Sequence, residues 1–88
     1  MKFEIVHCNV WADGYCQHSY TTISVEIPNI STNNVEDYDD FDVKKVLEPY
    51  YVLEDVIINN DYDDEGRVTT IYVDDDRGFP VVELRRRF

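Results

Sequence analysis

The chain has 88 residues, of which 43% are hydrophobic and 14% aromatic, and its 19 acidic against 8 basic side chains give a formal net charge of −11. A chain of this length makes one domain, residues 1–88, that buries only about 60% of the surface its unfolded form exposes. Its apolar content excludes a disordered acidic tail, the opening MKFEIVHCNVW lacks a signal-peptide core and cleavage site, and no run approaches the roughly 18 apolar residues of a membrane span.

Lys2 to Trp11 and Tyr15 to Ile27 are rich in β-branched and aromatic residues and flank Asp13-Gly14, a hairpin signal. Thr21 to Ile27 alternates, placing Ile23, Val25 and Ile27 on a core face. Pro28 ends that strand, and Asn29 to Asn34 is a polar loop. From Val35 to Glu48 the spacing becomes helical, with Tyr38, Phe41, Val43, Val46, Leu47 and Tyr50 as an apolar stripe in which Tyr38 and Phe41 are core anchors. A short helix starts near Asp37 to Asp40, where aspartate caps free amides, has Lys44 and Lys45 toward its negative end, and stops at Pro49.

Tyr51 to Asn59 reads as a third strand and Asn60 to Gly66 as a turn. Arg67 to Val73 is a fourth strand, with Val68, Thr70 and Tyr72 on one face and Thr69, Ile71 and Val73 on the other. Asp74 to Gly78 is a second turn, and Phe79 to Arg86 a fifth strand whose Pro80 suits its start or an edge. The expected fold is α+β: an antiparallel sheet of about five strands in the order ββαβββ, with one short helix packed on one face. No internal repeat is evident.

Two constellations bear on chemistry. Asp61-Tyr62-Asp63-Asp64-Glu65-Gly66 places oxygens and a glycine as an EF-hand loop does, but the closing position is Tyr72 instead of a bidentate glutamate, so a polar hairpin turn is the simpler reading. His7, Cys8, Cys16 and His18 form the second: a three-residue first loop at Ala12-Asp13-Gly14 sets Cys8 opposite His18 with Cys16 diagonal on the same face, where these three could meet one zinc ion, whereas a two-residue turn slips that register. Their spacing is not that of a zinc finger, and no metal or cofactor is expected. Catalysis is not expected either, since solvated acids on turns lack the burial that sets up a general acid, and no phosphate-cradling loop or nucleophile motif is present.

The charge is unevenly placed. Asn34 to Asp76 holds 15 acidic residues against Lys44, Lys45 and Arg67. Glu36, Asp37, Asp39, Asp40 and Asp42 surround the helix start. Asp61, Asp63, Asp64 and Glu65, with Tyr62 among them, occupy one turn, and Asp74, Asp75 and Asp76 the next. Such a field favours basic partners and opposes direct binding of nucleic acid, despite Arg85-Arg86-Arg87. Exposed Tyr62 would add contact area at low entropy cost.

In size, charge and the clusters DYDDFD, DYDDEG and VDDD, the chain resembles the small, acidic phage-type proteins that mimic DNA, the anti-restriction and anti-CRISPR inhibitors. The resemblance implies host-defence evasion in the host-cell cytoplasm, by competition with DNA for the basic groove of a nuclease or other DNA-binding protein, with a homodimer as one arrangement. The acids of these three clusters and Tyr62 would then contact the partner. An immunity protein or antitoxin capping a nuclease toxin, and a divalent-cation-binding module, are the alternatives.

Overall fold

The structure, a computed structural model, describes residues 2–10, 16–30 and 37–86, without the side chains of Asn9, Val10, Cys16, Tyr20 and Thr22. Five strands, β1 (Lys2–Val10), β2 (Cys16–Glu26), β3 (Ile57–Tyr62), β4 (Val68–Asp74) and β5 (Pro80–Arg86), and one helix, α1 (Asp40–Leu47), follow in the expected order. They form one antiparallel sheet ordered β2-β1-β5-β4-β3. The central position of β5 follows from its composition: Val82 and Leu84 are fully buried, and Pro80 stands at its first residue, where it removes no interior ladder bond. The first hairpin's turn at Ala12 to Gly14, the polar loop's residues 31–36 with Glu36 and the helix's extension toward Val35, and Arg87 lie outside the described residues.

Phe3, Ile5, Ile71, Val73, Val82 and Leu84 on one face of the sheet pack with Tyr38, Val43 and Leu47. Phe3 and Tyr38 meet edge to face, with ring centroids 5.3 Å apart. Ile23 and Val25 pack against this core and Ile27 is fully buried, as their alternation predicts. Asp39 caps α1, its carboxylate accepting from the Phe41 amide at 2.9 Å, and Lys44 and Lys45 lie in the last turn.

Two expectations need correction. Phe41 is 69% exposed and anchors nothing in the core. On a helix of eight residues the face is set by Tyr38 just before it and by Val43 and Leu47, and position 41 lies off that line. The third strand also begins later and runs further than its apolar pattern suggests. Residues 51–56 form a connector with Asp55 at φ 53, and pairing continues through Asn59, Asn60 and Asp61 to Tyr62. A polar edge strand still completes a backbone ladder, so hydrogen bonding carries pairing past the last apolar residue.

The register shift between Asp61 and Tyr62 explains a further departure. Asp61 pairs with Thr70 but Tyr62 with Val68, leaving an additional residue on β4. The bulge turns Val68 into the core beside Ile71 and Val73, although strict alternation puts them on opposite faces.

Strand directions fix which features share an end of the sheet. Phe3 pairs with Arg86, Thr70 with Arg85, and Tyr62 with Val68, so the β3–β4 turn and the start of β1 lie at one end. Tyr38 on Phe3 brings the beginning of α1 there too. Asp74 pairs with both Pro80 and Ile57, which puts the β4–β5 turn at the other end. The length of β4 separates the two turns by about 20 Å.

Candidate acidic interface and a polar cluster on the open face

The β3–β4 and β4–β5 turns are built alike. In the first, the Asp63 amide donates to the Arg67 carbonyl at 2.9 Å, Gly66 donates to the Asp63 carbonyl at 3.1 Å, and the Asp63 carboxylate accepts from the Glu65 and Arg67 amides, both at 2.9 Å. In the second, Asp75 donates to Phe79 at 2.8 Å, Gly78 to Asp75 at 3.0 Å, and the Asp75 carboxylate accepts from the Arg77 and Phe79 amides, both at 2.9 Å. Gly66 and Gly78 take φ 78 and 84, which closes each loop with the left-handed residue such hairpins require. The sequence signal is Asp-x-x-Gly at Asp63-Asp64-Glu65-Gly66 and again at Asp75-Asp76-Arg77-Gly78. This is a short internal repeat that a search for long-period repeats passes over.

The geometry divides the acids by role. Asp63 and Asp75 are turned inward to their own backbones, and each also meets an arginine: Arg67 Nε stands 2.9 Å from Asp63, and Arg77 2.9 Å by its amide and 3.3 Å by its guanidinium from Asp75. Hydrogen bonds from the Arg67 and Phe79 amides, respectively, are the main cause holding both carboxyls below the ordinary value of 3.8. Asp64, Glu65 and Asp76 are exposed at the tips. Asp61 accepts from the Tyr72 hydroxyl at 2.9 Å, and that bond raises the tyrosine's pKa. Asp74, half-buried, has its pKa raised by burial and by the charges of Asp75 and Glu83.

Near the start of α1, Asp37, Asp39 and Asp40 are exposed and Asp42 is half-buried. Asp37 accepts from the Tyr38 amide and Asp39 from that of Phe41. These acids share their end of the sheet with Asp61, Asp63, Asp64, Glu65 and Tyr62, which is 47% exposed. Asp74, Asp75 and Asp76 stand at the opposite end. The three clusters thus form two bands across the ends of the sheet, not one continuous face. Phe41 and Val52, 69% and 90% exposed, add apolar surface around an open groove beside α1 that Lys44, Lys45 and Glu54 also line.

A second polar feature lies on the sheet face opposite α1. Cys8 pairs with His18, as a three-residue first loop predicts. Glu83 comes from β5 and pairs with Val6. Its Oε1 is 3.1 Å from His18 Nε2, and its Oε2 accepts from Arg85 Nε and an Arg85 terminal nitrogen at 3.0 and 2.9 Å. Glu83 is the buried charged residue among those described, at 8% exposure. Sequence spacing pointed to Cys8 and His18 but not to Glu83, because the pairing of β1 with β5 spans most of the chain.

Asp61, Asp63 and Glu65 do not gather as cation ligands. Among the described residues, a group of three metal-binding side chains with ligand atoms within 4.8 Å of one another occurs at Cys8, His18 and Glu83. No described helix is long and apolar enough to cross a membrane. No protein-family model matches the chain, and neither a curated protein nor a solved structure was found to be similar to it.

Proposed function

We propose that the protein is a DNA-mimic inhibitor: it presents ordered carboxylates to the basic nucleic-acid-binding groove of a nuclease or other DNA-binding protein and competes there with DNA. The observation that supports this reading is the paired construction of the acidic hairpins. Asp63 and Asp75 are spent on fixing their turns, so Asp64, Glu65 and Asp76 are carried on defined backbones at the sheet ends. Charges held in place lose less entropy on binding than charges on a mobile tail. With Asp37, Asp39 and Asp40 they make two bands about 20 Å apart along the strand direction, a reach suited to an elongated basic groove. Tyr62 and Phe41 add apolar contact area beside the carboxylates. The role is one of binding, with complementarity of charge supplying attraction and association rate.

The test is capture from lysate on the immobilised protein, followed by elution with duplex DNA and, separately, with a salt ladder. A nuclease or DNA-binding protein released by both, and not captured by an Asp64→Lys, Glu65→Lys, Asp76→Lys variant, is the expected result. A captured nuclease that keeps its full affinity for DNA would indicate capping away from the groove. Equal capture by the wild type and the charge-reversed variant would remove the acidic tips from the mechanism.

A further inference from the structure

We propose that Cys8, His18 and Glu83 bind a thiophilic divalent cation, with zinc as the best-matched ion, and that the ion clips three adjacent strands together. This site is independent of the acidic bands and goes beyond the inhibitor reading. One ligand atom comes from each of β1, β2 and β5, and the sulfur, imidazole nitrogen and carboxylate oxygen all lie within 4.8 Å of one another. Register explains the meeting: Cys8 faces His18 directly, and Glu83 faces Val6, one same-face step along β1 from Cys8.

The donor set is one that zinc accepts, a thiolate, an imidazole and a carboxylate. Around a tetrahedral zinc ion with bonds of about 2.0 to 2.3 Å, neighbouring ligand atoms stand about 3.3 to 3.7 Å apart. His18 Nε2 and Glu83 Oε1 are 3.1 Å apart, and the sulfur, within 4.8 Å of both, needs an approach of at most about 1.5 Å to complete the group. Binding would exchange the His18–Glu83 hydrogen bond for two bonds to the ion, with the ring proton on Nδ1. The thiol proton would leave to solvent as the sulfur binds in its thiolate form.

The surroundings favour such a site. Cys8 and Glu83 are buried at 5% and 8% exposure, whereas His18 is exposed and gives the ion a way in. Arg85 holds Oε2 of Glu83 through two nitrogens, which aims Oε1 toward His18 and serves as the outer partner that fixes a metal ligand. For a small domain, an ion joining β1, β2 and β5 supplies a staple where the core is limited.

Cobalt(II) titration of metal-stripped protein tests the proposal through the sulfur-to-cobalt charge-transfer band, which carboxylate binding at the many surface acids does not produce. The expected result is a band that saturates at one equivalent, is displaced by zinc, is lost in Cys8→Ser, and forms with affinity reduced about tenfold or more in His18→Ala and Glu83→Gln. His18 is exposed, so His18→Ala leaves the fold intact, and circular dichroism of each variant before titration verifies this. Absence of the band in the wild-type protein overturns the proposal. So does a band that survives Cys8→Ser, or one whose affinity is unchanged in both His18→Ala and Glu83→Gln.

Discussion

Asp75 repeats, twelve residues further along the chain, the hydrogen bonding of Asp63. Each carboxylate closes its own turn by accepting two amides of that turn and meets the arginine inside it. This pairing separates two uses of acidic residues that composition alone merges. Some carboxylates are parts of the fold, and the others are carried by them.

The first consequence concerns acid stability. Both carboxyls titrate below the ordinary value of 3.8, Asp63 mainly through the Arg67 amide and Asp75 mainly through the Phe79 amide. A carboxyl whose pKa is depressed on folding contributes stability that is present above its unfolded value and lost as pH falls through the folded one. Denaturant melts between about pH 5 and pH 2 should therefore show a steep loss below about pH 4. In Asp63→Asn, Asp75→Asn the slope should flatten, because the amide oxygen still accepts but no longer titrates. The alanine pair should melt earlier at every pH, since the turns then lose their acceptors.

The glycines of the same turns give a second expectation. Gly78 has open space where a Cβ would stand, so substitution there meets no neighbour and costs only the left-handed backbone at φ 84. Gly78→Ala should destabilise by about 1 to 2 kcal/mol. Urea titration should show the midpoint falling with an unchanged slope, the mark of altered stability without an altered denatured state.

How much of this was legible follows from how local each cause is. The element order, a helix start within Asp37 to Asp40, the stop at Pro49 and the Cys8–His18 pairing that a three-residue first loop would give rest on residues close in sequence, and the structure agrees with each, with Asp39 as the cap. The end of β3, the inward turn of Val68 and the exposure of Phe41 depend on pairing and packing partners that periodicity does not see. The two acidic bands were half legible: the clusters are plain in the sequence, but their places at opposite ends come from the direction of β4. Glu83 was illegible as a site residue because its companions lie on β1 and β2. The Asp-x-x-Gly repeat was legible, and its short period is what hid it.

Phe41 and Leu47 provide a contrast on one helix. Leu47 is fully buried in the cluster with Phe3 and Ile5, so Leu47→Ala should cost about 2 to 5 kcal/mol, a large fraction of the stability of a domain this small. Phe41→Ala, at 69% exposure, should change stability by no more than about 0.5 kcal/mol. Thermal melts of the two variants separate the cases. If Phe41 serves a partner, its replacement should weaken capture while the melt stays the same.

Asp74 reverses the sign seen at Asp63 and Asp75. Its pKa is raised, first by burial and then by the neighbouring charges of Asp75 and Glu83. A carboxyl whose folded pKa lies above its unfolded one binds its proton more tightly in the native state, so its ionised form subtracts stability at neutral pH. That loss is relieved as pH falls through the folded value. Asp74→Asn removes the charge while keeping the shape, and the variant should melt at a higher temperature than the wild type at pH 7. On acidification the advantage should shrink, because the wild-type carboxyl then becomes neutral as well. Scanning calorimetry at neutral pH and near pH 4 reads both halves, and a variant that melts at or below the wild-type temperature at pH 7 would falsify the repulsion assigned to this position.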